Sequence, residues 1–219
     1  MRFLVIYCHP VAESFCNAVH HTVVDALTRA GHEVEDLDLY AADFQPVMTR
    51  QERLDYHESG VNIRTVEPFV AQLRRAEALV FVYPTWWYGL PAMLKGYLEK
   101  VWALDVAFTL NGPNQVIRPA LQHIRRLGGV STYGASWWWT RWVGDPGRRT
   151  LIRGLKPLCH PRCRTTWLAH YNMDVSTPES RRAFLARVEK HYLGLEPAGR
   201  VAGTAPGQVL MLGDTLSIA

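Results

Sequence analysis

One stretch limits the possible folds of this chain more than any other: Val82-Tyr83-Pro84-Thr85-Trp86-Trp87-Tyr88-Gly89-Leu90-Pro91-Ala92-Met93-Leu94-Lys95-Gly96. The apolar run 78–83 predicts a strand. A Pro- and Gly-punctuated aromatic loop follows, and Pro91 near the first turn opens a helix over 91–104. A strand that passes through a short loop into a helix belongs to a parallel α/β sheet, and the junction lies at the carboxyl edge, where such sheets bind ligands. The large aromatic side chains clustered there offer a flat, apolar, hydrogen-bonding wall, suited to a planar ring system better than to a sugar or a phosphate.

The rest of the chain agrees with that architecture. Residues 3–8 form a continuous apolar run, the pattern of a strand buried on both faces. A helical pattern over 14–29 stops at Gly31, where a helix end favours left-handed backbone. Residues 33–39 alternate as a second strand, 43–67 read as a polar surface excursion with short helical pieces, and 68–76 predict a helix. A second excursion, 105–115, contains the turn Asn111-Gly112-Pro113. After it the spacing predicts a helix over 118–126, a strand over 129–133, a loop carrying Trp137, Trp138, Trp139 and Trp142, a basic helix over 146–158 and a strand over 165–170. Ser176-Thr177-Pro178-Glu179 has capping-box spacing and opens a last helix ending near 193. Five strands alternating with helices imply a doubly wound α/β sheet. One domain over 1–194 accommodates a sizeable core, and the Gly/Ala/Pro-rich residues 195–219 are expected to be a flexible tail.

Composition narrows the function. Hydrophobic residues make up 48% and charged residues 20% of the 219, an ordinary globular balance. The net charge of +4 is uneven: residues 141–164 hold seven Lys/Arg against one acid, Asp145. Such a run is a solvated basic face more often than an anion site, and no nucleic-acid-binding motif accompanies it, so nucleic acid is not an expected partner. Cys8, Cys16, Cys159 and Cys163 have no disulfide-scaffold density. Together with an amino terminus that reads as a buried strand rather than a signal peptide, they point to the cytoplasm. Cys159-His160-Pro161-Arg162-Cys163 lacks the usual two-residue gap of a metal clip and has no second ligand pair, so no metal is expected. No apolar run approaches the ~20 residues of a membrane span.

The first strand runs into Cys8-His9-Pro10 rather than a Gly-x-Gly-x-x-Gly turn, which argues against a dinucleotide-binding crossover. Ser14 stands instead at the mouth of the first helix. Its hydroxyl and the N–H groups of Phe15 and Cys16 could receive a phosphate, with His9 adding a charge-assisted bond. Taken alone, Ser14 would more often be a simple cap and His9 a loop filler.

His9-Pro10-x-x-x-Ser14-Phe15 followed by Tyr83-Pro84-x-Trp86-Trp87-Tyr88-Gly89-x-Pro91-Ala92-x-Leu94-Lys95-Gly96 resembles the flavodoxin-fold NAD(P)H:quinone oxidoreductase family, over about residues 2–193. That family also includes ancillary subunits of glutathione-gated potassium efflux systems. The resemblance implies a flavodoxin-like five-stranded parallel sheet of order 2-1-3-4-5, a homodimer, and non-covalent FMN or FAD with NAD(P)H as co-substrate. It also implies two-electron reduction of a quinone or similar flat electrophile. The alternative is a flavin-binding regulatory subunit with a transporter partner.

By the same resemblance, His9, Ser14, Phe15 and Cys16 match the phosphate loop, and Pro84, Thr85, Trp86, Trp87 and Tyr88 match the loop that holds the ring. Ser131, Thr132, Tyr133 and Gly134 match the loop on the other side of the ring system. Tyr88, Trp137 and Trp138 are the candidate substrate residues, while Trp102 and Trp167 are expected in the core. No protein side chain is assigned the hydride, which the flavin itself carries. Many members have Asn at the position of Cys16. Aligning Gly144-Asp145 with the family's Gly-Asp pair puts Trp137 and Val143 where mammalian members carry a Tyr and a His that assist hydride transfer.

Overall fold

The structure is a computed structural model that describes residues 1–111 and 116–196. Five parallel strands form the central sheet: β1 (Arg2–Tyr7), β2 (Glu33–Asp38), β3 (Ala78–Thr85), β6 (Arg126–Tyr133) and β7 (Arg164–His170), in the order β2-β1-β3-β6-β7. Counting these strands alone, the order is the expected 2-1-3-4-5. The two skipped labels belong to a separate antiparallel hairpin, β4 (Phe108–Asn111) and β5 (Val116–Pro119).

Alternation along β1 divides the core in two. Phe3, Val5 and Tyr7 face the layer of α1 (Phe15–Arg29) and α7 (Pro178–Leu193), while Leu4 and Ile6 face the layer of α3 (Glu67–Arg75) and α4 (Ala92–Val101). All five side chains are at most 2% exposed. Each such burial contributes about 1.5–3 kcal/mol, which fixes strand register because a one-residue slip would exchange the faces. Gly31 does end α1, at φ 79°. Trp102 is buried, and Trp167 packs partly buried against the same core. Among the described residues no helix is long and apolar enough to cross a membrane.

Several expectations need correction. Residues 118–126 are not a helix: Val116–Pro119 pair with Phe108–Asn111 as a hairpin, and Leu121 and Ile124 sit in a single turn closed by the Ile124 N–H donating to the Leu121 carbonyl (3.0 Å). The three-residue spacing of those two core residues imitates a helical face. The turn Asn111-Gly112-Pro113 lies largely outside the described residues, as does the tail beyond residue 196.

The tryptophan-rich segment is a helix, α5 (Trp137–Val143), capped by Ser136 and ended by Gly144 at φ 97°. The basic segment is not one helix. It comprises α6 (Pro146–Arg149), a π-helical turn over Thr150–Leu155 and a 3-10 turn over Lys156–Leu158; Gly154 and Pro157, which weaken or forbid α-helical bonding, lie in it. The cap of α7 is Thr177 with Ser180, not Ser176 with Glu179. The helix after the aromatic loop ends at Val101 rather than 104. In the first excursion, α2 (Arg50–Leu54) is the main helical piece.

Candidate functional site

Loops after β1, β3, β6 and β7 meet at the carboxyl edge of the sheet and enclose a cleft of about 690 Å³. Ten sequence-predicted residues line it: His9, Ser14, Phe15, Cys16, Pro84, Thr85, Trp86, Trp87, Thr132 and Gly134. A smaller cavity of about 220 Å³ shares Thr85, Trp87 and Gly134 with the cleft and adds Tyr88, Tyr133 and Ala135.

One part of the cleft lining is the start of α1. Ser14 has extended backbone, and its hydroxyl oxygen accepts from the Asn17 N–H at 3.1 Å, so it is the helix cap. Its own O–H proton can donate elsewhere, and the Tyr7 hydroxyl lies within its reach. The N–H groups of Phe15 and Cys16 belong to the first turn and find no carbonyl within the helix, so they are unsatisfied donors at the positive end of the dipole, of the kind that can receive an anion. Cys16 is buried as a whole residue, its side chain packs in the α1/α7 core, and burial pushes its thiol well above the usual range.

His9 Nδ1 lies 3.0 Å from the Val11 N–H and 3.2 Å from the Val11 carbonyl oxygen; it accepts from the first when the ring is protonated on Nε2 and donates to the second when it carries the proton itself. Burial lowers the His9 pKa, against the opposing pull of the Val11 carbonyl. Burial thus favours the neutral ring over the charged one.

Another part of the lining is the turn after β3, where the Trp86 ring lies 6.1 Å from that of His9. Gly89 N–H donates to the Trp86 carbonyl at 3.0 Å, and the two central residues, Trp87 (φ 49°) and Tyr88 (φ 62°), both adopt left-handed backbone. For a non-glycine residue this costs about 1–2 kcal/mol each. Trp87 is 95% exposed, so no core burial explains the strain. The turn is secured from α6: the Gly147 N–H donates to the Tyr88 carbonyl at 3.1 Å, and a Cβ at Gly147 would come within 3.3 Å of that oxygen.

Ser131 stands behind the wall rather than in it, its hydroxyl 2.8 Å from that of Thr85. Tyr133 donates its buried hydroxyl to Asp145 Oδ1 at 2.9 Å and stacks on Tyr171 at 4.8 Å. Burial first, and the Asp145 charge second, hold the Tyr133 hydroxyl protonated far above the usual range. Trp137 and Trp138 line neither cavity. They lie edge to face at 4.7 Å on the exposed side of α5, with Arg141 over the Trp137 ring at 5.8 Å.

Sequence reasoning passed over Met173 and Asp174 in the large cleft and Ala135 in the small one, and it used Asp145 only to align the chain; Trp139, which with Trp137 and Trp138 could line a substrate slot or pack a dimer seam, stands behind the small cavity on Tyr88. Met173 and Asp174 follow β7 directly, so the rule that sites gather outside strand carboxyl ends would have found them.

A family profile described as a flavodoxin-like fold matches residues 1–192. An uncharacterized NAD(P)H oxidoreductase, YcaK, of Escherichia coli K12 is 32% identical over 108 residues, covering 49% of this chain and 55% of that protein. Rat NAD(P)H dehydrogenase [quinone] 1 is 31% identical over 124 residues, 49% of this chain and 45% of that protein. This chain thus spans about half the length of these curated relatives. The solved structure of an NAD(P)H:quinone oxidoreductase from Methanothermobacter marburgensis superposes with a TM-score of 0.74 at 23% identity, over 90% of this chain and 99% of that one, a likeness of fold.

Proposed function

This chain belongs to the flavodoxin-like fold family, and from that premise we propose that it is a flavin-dependent reductase passing two electrons from NAD(P)H to a quinone or similar flat electrophile. The observation that carries the reading is that one cleft is lined by both a helix start with unsatisfied N–H groups and an aromatic turn, together with Gly134, where any side chain would meet Asp174 (2.8 Å from a Cβ to Oδ2). A flavin is an anion tethered to a planar ring, and the residues present fit both parts.

Ser14, His9 and the N–H groups of Phe15 and Cys16 would hold the phosphate. Trp86, Trp87 and Thr85 would bound the ring on one side, Thr132 and Gly134 on the other. Bound there, the flavin supplies a ring that accepts and returns a hydride; the chain supplies orientation and partial exclusion of water. Exposed Trp138 and Trp142, each 76% exposed, add an apolar surface near the site, which supports a homodimer with its seam there. The large exposed aromatics gather beside the cleft rather than on a distant face, which favours a reductase over a subunit docking elsewhere.

Because one cleft serves donor and acceptor in turn, initial-rate plots with NADH or NADPH against menadione should be parallel. Intersecting plots, or no turnover with any flavin added, would contradict the proposal.

A further inference from the structure

Tyr88 has a second tie that bears on the acceptor. The indole Nε1–H of Trp139 donates to the Tyr88 hydroxyl oxygen at 2.6 Å. An indole N–H is a donor only, so the phenol oxygen must accept, and its own proton is left for another partner. Among the described residues no protein acceptor takes that proton, and Tyr88 lines the smaller cavity. Three restraints fix the ring: left-handed backbone at φ 62°, the Gly147 N–H on the Tyr88 carbonyl, and the Trp139 N–H on the hydroxyl. Trp139 is itself stacked on Trp142 at 4.9 Å.

We propose that Trp139 is a positioning residue that makes Tyr88 an oriented hydrogen-bond donor for the smaller cavity, and that this pair selects flat substrates bearing a ring-edge acceptor, a carbonyl oxygen above all, over plain aromatic rings. The inference rests on the reductase reading. A donor whose oxygen already accepts a hydrogen bond is polarised, so its bond to a carbonyl is strengthened. A site built to satisfy that donor disfavours an analogue that leaves it unpaired.

The test is calorimetric binding of menadione, and of methylnaphthalene as the same ring without carbonyls, to the oxidised flavin-loaded protein with no reductant present. Tyr88→Phe should weaken menadione binding about fivefold, the equivalent of one neutral hydrogen bond, and leave methylnaphthalene binding unchanged. Trp139→Phe should cause a similar loss, the double variant should lose no more than either single one, and Trp139→His, which keeps a ring N–H, should recover part of the affinity. That recovery separates positioning from collapse of the turn. Equal menadione affinity in wild-type and Tyr88→Phe protein, or losses that add in the double variant, would overturn this inference alone. A wild-type protein that binds flavin but no quinone would overturn the reductase reading as well.

Discussion

At the start of α1, the backbone from Cys8 to Cys16 has no left-handed residue, and the candidate anion-binding groups are those that any helix start leaves unsatisfied. At the turn after β3, Trp87 and Tyr88 occupy left-handed backbone that glycine or asparagine would adopt with less strain, and groups of α5 and α6 hold Tyr88 there. The first uses ordinary helix-start chemistry, and the binding role proposed for it adds little to the cost of folding. The second is strained for the sake of aromatic surface that folding does not need. Loss of a side chain should therefore have opposite consequences for stability in the two regions, while both losses weaken cofactor binding.

The largest effect is expected at the start of α1. Ser14→Ala combined with His9→Ala should lower flavin affinity about ten- to hundredfold, the equivalent of ~1–3 kcal/mol for bonds to a charged group. Because Ser14 also caps α1, the same variant should lose about 1 kcal/mol of folding stability. Flavin titration and denaturant melts read the two quantities; unchanged flavin retention would leave Ser14 and His9 with structural roles only.

At the turn the stability change should reverse. Trp87→Gly relieves left-handed strain and removes no buried surface, so after the entropy cost of glycine the fold should gain up to about 1 kcal/mol, a rise in Tm of roughly 2–4 °C. Flavin affinity should fall about two- to tenfold with the lost ring contact. A lower Tm would mean that the turn is not strained, and the contrast between the two regions would fail.

The smallest effect concerns protons. Burial depresses the His9 pKa, so the unfolded chain binds the proton first as pH falls, and this residue's contribution to stability is present above the ordinary value of 6.5 and is lost below it. A phosphate beside the ring would favour the charged form instead. Flavin binding near pH 6 should therefore take up a fraction of a proton, measurable by calorimetry in buffers of different ionisation enthalpy, and His9→Ala should reduce that uptake. Identical uptake in both proteins would place the phosphate away from His9.

The same contrast explains what could be read from the sequence. Continuous apolar runs such as Phe3 to Cys8 bury both strand faces and announce the sheet, and the strand-to-helix junctions locate its ligand edge. The cap at Ser14 follows from residue type. The clamp on Tyr88 was not legible, because it joins Gly147 and Trp139 to a residue more than fifty positions away and depends on α5 being a helix. That helix is short and carries four tryptophans, which have weak helix propensity, and it forms between the Ser136 cap and the Gly144 stop. The hairpin was missed for the reverse reason: Leu121 and Ile124 repeat at helical spacing, yet the β-branched Val116 and Ile117 pair across to Phe108–Asn111.

The most direct test of the account is the absorbance spectrum of the purified protein, followed by mass determination of whatever is released on denaturation. The account predicts a yellow protein that releases FMN or FAD in equimolar amount, or a colourless one that either flavin restores, with retention lost in the Ser14→Ala/His9→Ala variant. A colourless protein that neither flavin reconstitutes would contradict it.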